Sequence, residues 1–211
     1  MYDWSTIASL STAAGTLVLA VATFASVRSA NRAARAAETS MLAGLRPLLV
    51  PSRLDEPDEK VGFMDDHWVR VPGGRAVVEA TDEVIYLTMS LRNVGRGIAI
   101  LDRWSLIPER VMGDTDHADP DHFRRLTRDI YIPALDRGFW QGALRDPSDP
   151  LFAPTRAAIE SRSPLTLDLL YGDYEGGQRM ISRFAILAAP SGDAWLVSNA
   201  RHWSLDHPDP R

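Results

Sequence analysis

Cysteine is absent from the 211 residues. That absence excludes disulfides, thiolate metal sites and cysteine nucleophiles, and it agrees with a reducing compartment. Stability must therefore come from a packed core. Catalytic signatures are missing as well: there is no G-x-S-x-G nucleophile elbow and no H-E-x-x-H helix. No glycine-rich strand-to-helix turn leads into the lysine and Ser/Thr of a phosphate loop. With 45% hydrophobic and 24% charged residues the chain is neither low-complexity nor disordered, and its length allows one membrane element plus one ordinary globular domain.

Charge is missing from one long run. Trp4 to Val27 spans 24 residues without a charged side chain. As a helix this run reaches about 36 Å, enough for a bilayer core of roughly 30 Å. Ile7, Leu10, Leu17, Val18, Leu19, Val21, Phe24 and Val27 are diluted by six alanines and eight serines or threonines. Helical hydroxyls can bond back to their own backbone carbonyls, so the dilution is tolerable in lipid. A cleaved signal peptide needs a basic start, yet the side-chain charge ahead of the run is Asp3. Tyr2 and Trp4 on one side, with Arg28, Arg32 and Arg35 on the other, are the flanks of a transmembrane helix over 4–27. Arginine on the C-terminal side alone predicts a single-pass protein of the inner (plasma) membrane, N-terminus outside and C-terminal domain in the cytoplasm. Ser11 with Gly15, and Ala22 with Ser26, set small residues four apart, a spacing that arises readily in this composition.

Residues 28–45 are alanine-rich and extend the helix as a juxtamembrane stalk until Gly44 and Pro47 stop it. Arg28, Arg32 and Arg35 share one face, where each contributes about 1 kcal/mol toward anionic lipid. A topology signal and solvated stalk is sufficient by itself to account for them, and is the preferred reading. Charge then reverses: residues 1–46 hold four arginines against two acids, and residues 47–211 hold 19 basic against 26 acidic, a net −7. An acidic domain lacks the basic footprint that nucleic acid requires.

Residues 46–211 read as short strands separated by turns. "PLLVPSRL" at 47–54 is a first strand, and an acidic loop follows at 55–66. "HWVRV" and "RAVVEA" flank Pro72-Gly73-Gly74 as a hairpin. "EVIYLTMSLRN" alternates, with Ile85, Leu87, Met89 and Leu91 on an apolar face, and "IAILDRWSLIP" comes next. The irregular stretch 112–164 predicts a short helix near 119–128, a strand "DIYIP" and a second helix near 154–162. Three last strands lie near 165–173, 178–188 and 194–203. The fold class is mainly β: an anchor helix with its stalk, then an antiparallel β-sandwich with short helices in a long insertion.

"LRNVGRGIAIL" and "LLYGDYEGGQRMISRF" carry the patterns N-x-G-x-G-x-A and Y-x-D-x-x-G. With the anchor, the alanine-rich stalk and "RPLLVP", the chain resembles uncharacterised bacterial single-pass membrane proteins of actinobacterial type, which hold an immunoglobulin-like β-sandwich behind one N-terminal helix. The resemblance implies that fold and a membrane location. It carries no catalytic residue.

The acids, glycines and arginine of "YGDYEGGQR" invite a phosphate-cradle reading. Pairing the flanks as a hairpin instead sets Leu165 against Ile186, Leu167 against Phe184 and Tyr171 against Met180 on one face, with Asp168 opposite Arg183 on the other. The glycines then supply the turn. Residues 113–122 offer Asp114, Asp116, Asp119, Asp121, His117 and His122 as metal ligands, but Asp119 and Arg125 occupy the EF-hand positions of glycine and glutamate. The tail holds Arg201, His202, Asp206, His207 and Asp209, which could serve acid/base chemistry or simply end the chain behind Trp203 and Leu205. Five tryptophans (68, 104, 140, 195, 203) lie in the domain, and "GFWQGAL" would bind a partner if exposed. The leading expectation is a membrane-anchored, non-enzymatic protein-interaction or scaffolding module without a cofactor, metal or catalytic set. A tethered metal-dependent hydrolase built on 113–122 and a sensor or regulatory component are the alternatives.

Overall fold

A computed structural model describes residues 4–111, 115–190 and 192–206. Its first element, α1 (Trp4–Gly44), is one unbroken helix of 41 residues, about 60 Å long. Alanine keeps it helical beyond Val27, and Gly44 ends it. The hydroxyls turn back as expected. Ser9 donates to the Ser5 carbonyl and Ser11 to that of Ile7, both at 2.9 Å, and Thr12, Thr16 and Thr23 repeat the pattern. Leu10, Leu17, Val18, Leu19 and Phe24 are all exposed, and among the described residues nothing buries this apolar window. This one helix is long and apolar enough to cross a membrane. It is a compact unit distinct from the β domain that begins at Leu45.

That domain contains β1 (Leu49–Pro51), β2 (Glu59–Gly62), β3 (Trp68–Val71), β4 (Arg75–Ala80), β5 (Ile85–Asn93), β6 (Ala99–Ile107), β7 (Arg124–Ile132), β8 (Arg137–Leu144), α2 (Phe152–Glu160), β9 (Leu165–Gly172), β10 (Met180–Ala188) and β11 (Trp195–Ser204). The large sheet runs β1, β5, β4, β11, β10, β9, β6, β7, with β8 on the other edge of β5. Every described pairing is antiparallel. β4 meets β11 through two residue pairs, Ala76 with Trp195 and Arg75 with Leu196. The sheet curls at this seam, and β7 and β8 come to lie near one another. Inside it pack Ile85, Leu87, Met89 and Leu91 of β5, Leu101 and Trp104 of β6, Trp140 of β8, Leu165, Leu167 and Leu169 of β9, and Phe184 of β10. Each fully buried side chain of this size contributes about 1.5–3 kcal/mol. Trp104 and Trp140 meet edge to face at 5.3 Å.

Two smaller clusters cover outer surfaces. Val61, Phe63, Val69 and Val71 of the β2–β3 hairpin pack on Val77, Tyr86, Phe139 and Ala143. Phe123, Leu170, Ile181 and Trp203 form the other on the outside of β9, β10 and β11.

The expected β9–β10 register is present, with Met180 opposite Tyr171, Phe184 opposite Leu167, Ile186 opposite Leu165 and Arg183 opposite Asp168. Other local expectations fail. β3 pairs with β2, inside the stretch read as an acidic loop, and not with β4. The Gly74 amide donates to Ser52 Oγ at 2.8 Å, which ties the supposed hairpin turn to the end of β1. The helix expected near 119–128 is a single 3₁₀ turn, Pro120–His122, followed by β7. Ile130 and Ile132 are buried there, and an extended chain is what turns both to the inner face, while Phe123 joins the outer cluster. "RGFWQGAL" is β8, with Trp140 at the centre of the core.

Candidate functional sites around the first strand and the outer sheet face

Asn93 ends β5 and is fully buried. Its Oδ1 accepts from the backbone amides of Leu48 at 3.1 Å and Gly95 at 3.0 Å. Its Nδ2 donates to the carbonyls of Gly97 at 2.7 Å and Ile132 at 3.1 Å. Both lone pairs and both protons of the amide are therefore used. A Cβ at Gly95 would overlap the Arg46 carbonyl, and one at Gly97 the Leu45 carbonyl. The N-x-G-x-G stretch thus forms a close-fitting seat for the chain leading into β1.

The second pattern grips the same segment from the other side. Tyr171 Oη accepts from the Leu49 amide at 3.1 Å and lies 2.8 Å from Ser182 Oγ. Ser182 Oγ is 2.6 Å from His202 Nδ1, and His202 Nε2 is 2.9 Å from the Asn199 amide. Burial pushes the Tyr171 hydroxyl up to about 12, against the smaller opposing pull of its hydrogen bonds to Leu49 and Ser182. Tyr171 therefore stays neutral. Asp173 accepts from the Gly177 amide at 2.9 Å and the Gln178 amide at 3.3 Å, which orders the β9–β10 turn, where Gly176 has φ +73°. Gln178 Oε1 in turn accepts from Arg46 Nε at 3.1 Å. Spacing could not disclose Arg46, Ser182 or Gln178 as members of this clamp, because the fold alone brings them together.

No family model, curated protein or solved structure matches this chain. Its own side chains therefore carry the functional argument.

On the outer face Arg183 and Asp168 form a two-pronged ion pair, Nε to Oδ1 and Nη2 to Oδ2, both at 2.7 Å. They are 1% and 0% exposed. Arg183 also donates to the carbonyls of Thr115 at 2.8 Å and Asp116 at 3.2 Å, and it lies over the Trp203 ring at 4.9 Å. The His117 ring meets the other side of this cluster, edge-on to Trp203 at 5.3 Å.

Within the acidic stretch considered for metal, the Thr115 and Asp116 carbonyls thus bond the Arg183 guanidinium. Asp119 accepts from the Asp121 amide, and His117 Nδ1 sits 2.7 Å from the Ala118 carbonyl. Among the described residues no three His, Asp or Glu side chains gather as a metal set. His122 and Asp121 are exposed, and the tail histidine His202 is engaged in the clamp. Asp114, His207 and Asp209 lie outside the described residues. Asp206 pairs with Arg179 at 2.7 Å, and Arg201 lies over Trp203 at 5.1 Å. Of the five tryptophans, Trp104, Trp140, Trp195 and Trp203 are buried. Trp68 is exposed, beneath the Lys60 ammonium at 4.7 Å. Ser182 beside His202 has the spacing of an activated nucleophile, yet Ser182 is fully buried against the core.

Proposed function

We propose that this chain is a single-pass membrane protein whose β domain, an immunoglobulin-like β-sandwich, works as a protein-interaction or scaffolding module without chemistry of its own. The observation that carries the reading is α1: a helix whose Leu10, Leu17, Leu19 and Phe24 are exposed, followed directly by a domain that seats the emerging chain in two buried clamps. Residues 4–27 lie in the bilayer of the plasma membrane, and 28–45 form the stalk. The arginines beyond Val27 put the N-terminus outside and residues 46–211 in the cytoplasm. Arg28, Arg32 and Arg35 line one groove of the helix with Phe24 and Val27, a geometry that fits anionic headgroups. The resemblance carried by N-x-G-x-G-x-A and Y-x-D-x-x-G supports the same assignment, since both patterns act on the chain leaving the stalk.

Protease treatment of intact spheroplasts is expected to leave the domain whole, and of inverted vesicles to digest it; the opposite result overturns the orientation. Affinity purification of the detergent-solubilised chain is expected to recover a reproducible partner that is lost when residues 46–211 are removed. Failure to recover one under any growth condition counts against the interaction role. A sensor role is favoured by one observation, the bonding of Leu49 to the Tyr171–Ser182–His202 row, which would couple the stalk to the sheet interior.

A further inference from the structure

No ladder joins β7 to β8. In the gap lies a cleft of about 160 Å³ lined by Phe63, Trp104, Arg124, Arg125, Gln141 and Arg145. Three arginines here contrast with a domain of net charge −7. Two are partly neutralised: Arg124 by Asp149 at 2.5 and 2.8 Å, and Arg145 by Asp65 at 3.3 Å. Arg125 forms no ion pair or side-chain hydrogen bond with any described residue. Register places it directly opposite Arg103 on β6. Like charges directly opposed on neighbouring strands repel, and Asp102 stands 3.6 Å from Arg103 Nε, which is buried without a hydrogen bond. Gln141 is 4% exposed, and its Oε1 has no partner. A buried amide oxygen left unsatisfied is costly unless something occupies the space beside it. A half-turn of the amide exchanges oxygen for NH₂, so Gln141 can offer either an acceptor or two donors.

We infer that this cleft binds a small oxyanion, a phosphoryl or carboxylate group, with Arg125 as its principal cation and Gln141 as the orienting amide. The guanidinium fork matches either oxyanion in two-pronged geometry. The volume corresponds to about five waters at roughly 30 Å³ each, room for such a group on a small carbon skeleton. Trp104 and Phe63 supply apolar walls beside the exposed Arg125.

The test is isothermal titration of the full chain in detergent micelles at low ionic strength, with inorganic phosphate in one series and acetate in another. Saturable binding is expected, weakened at least about tenfold in Arg125→Ala, as loss of a hydrogen bond to a charged group predicts. Gln141→Leu should weaken it too, and Arg110→Ala, exposed and outside the cleft, should leave it unchanged. Saturation by phosphate alone assigns a phosphoryl ligand, and saturation by acetate a carboxylate. Saturation by neither, equal affinity in Arg125→Ala, or an equal loss in Arg110→Ala overturns the inference.

Discussion

Asn93 and the Asp168–Arg183 pair show how single side chains fix this domain. Replacing Asn93 with alanine leaves the Leu48 and Gly95 amides buried without acceptors. At roughly 1–3 kcal/mol for each unsatisfied group, Asn93→Ala is expected to cost about 2–6 kcal/mol, read as a lower urea midpoint for the full chain. The ion pair behaves differently. Asp168→Ala strands a buried guanidinium and should cost about 3–5 kcal/mol, whereas replacing both partners together by apolar residues is near neutral in comparable buried pairs. The expected outcome is a double variant, Asp168→Leu with Arg183→Met, that is more stable than Asp168→Ala. A double variant as unstable as the single one would show that the guanidinium's bonds to Thr115 and Asp116 matter more than the pair.

Among the elements, β8 and α2 carry the clearest expectations. Trp140→Ala empties the space against Trp104 and should cost about 3–5 kcal/mol by denaturant unfolding. Asp149 joins α2 to β7, accepting from Arg124 and from the Leu151 amide at 2.9 Å. The Arg124 hydrogen bond holds its carboxyl below the ordinary value despite opposing burial. A depressed folded pKa stabilises above the unfolded value of about 3.9, and that contribution is lost as pH falls through the lower folded value. Arg124→Ala should return the Asp149 carboxyl to the ordinary range in an NMR titration and flatten the acid limb of stability. The β9–β10 hairpin was legible from its flanks, because alternating apolar residues and one Asp–Arg pair admit a single register. β8 was not, because Gly138 and Gly142 dilute its strand signal. β2 hid behind acids, and Phe63, just beyond it, gains its meaning from Tyr86 and Phe139 across the domain. The clamp was half legible: its patterns stood out as turn chemistry, while their target, the segment from Leu45 to Leu49, is a product of the fold.

For the whole molecule, the division between helix and β domain follows from charge. The apolar run and the arginines after it were plain in the sequence, and the exposed leucines of α1 agree with them. Leu17→Arg places a cation at mid-helix at a cost of about 2.5–3.5 kcal/mol for insertion. The expected outcome is a shift of the chain from the membrane to the soluble fraction on fractionation, while Leu54→Arg in the exposed 53–57 loop leaves it in place. The seat of the first strand has a mechanical corollary. Leu48 bonds through its amide to Asn93 and through its carbonyl to Val94, Leu49 to Tyr171 and Ser52 to Ser90, all sideways to the chain's direction. Tension along β1 itself loads these bonds in shear, where they must rupture together, and does not peel them one by one. Tension carried along the chain into β1 is thus shared with β5 and, through Tyr171, with β9 before the domain lets go.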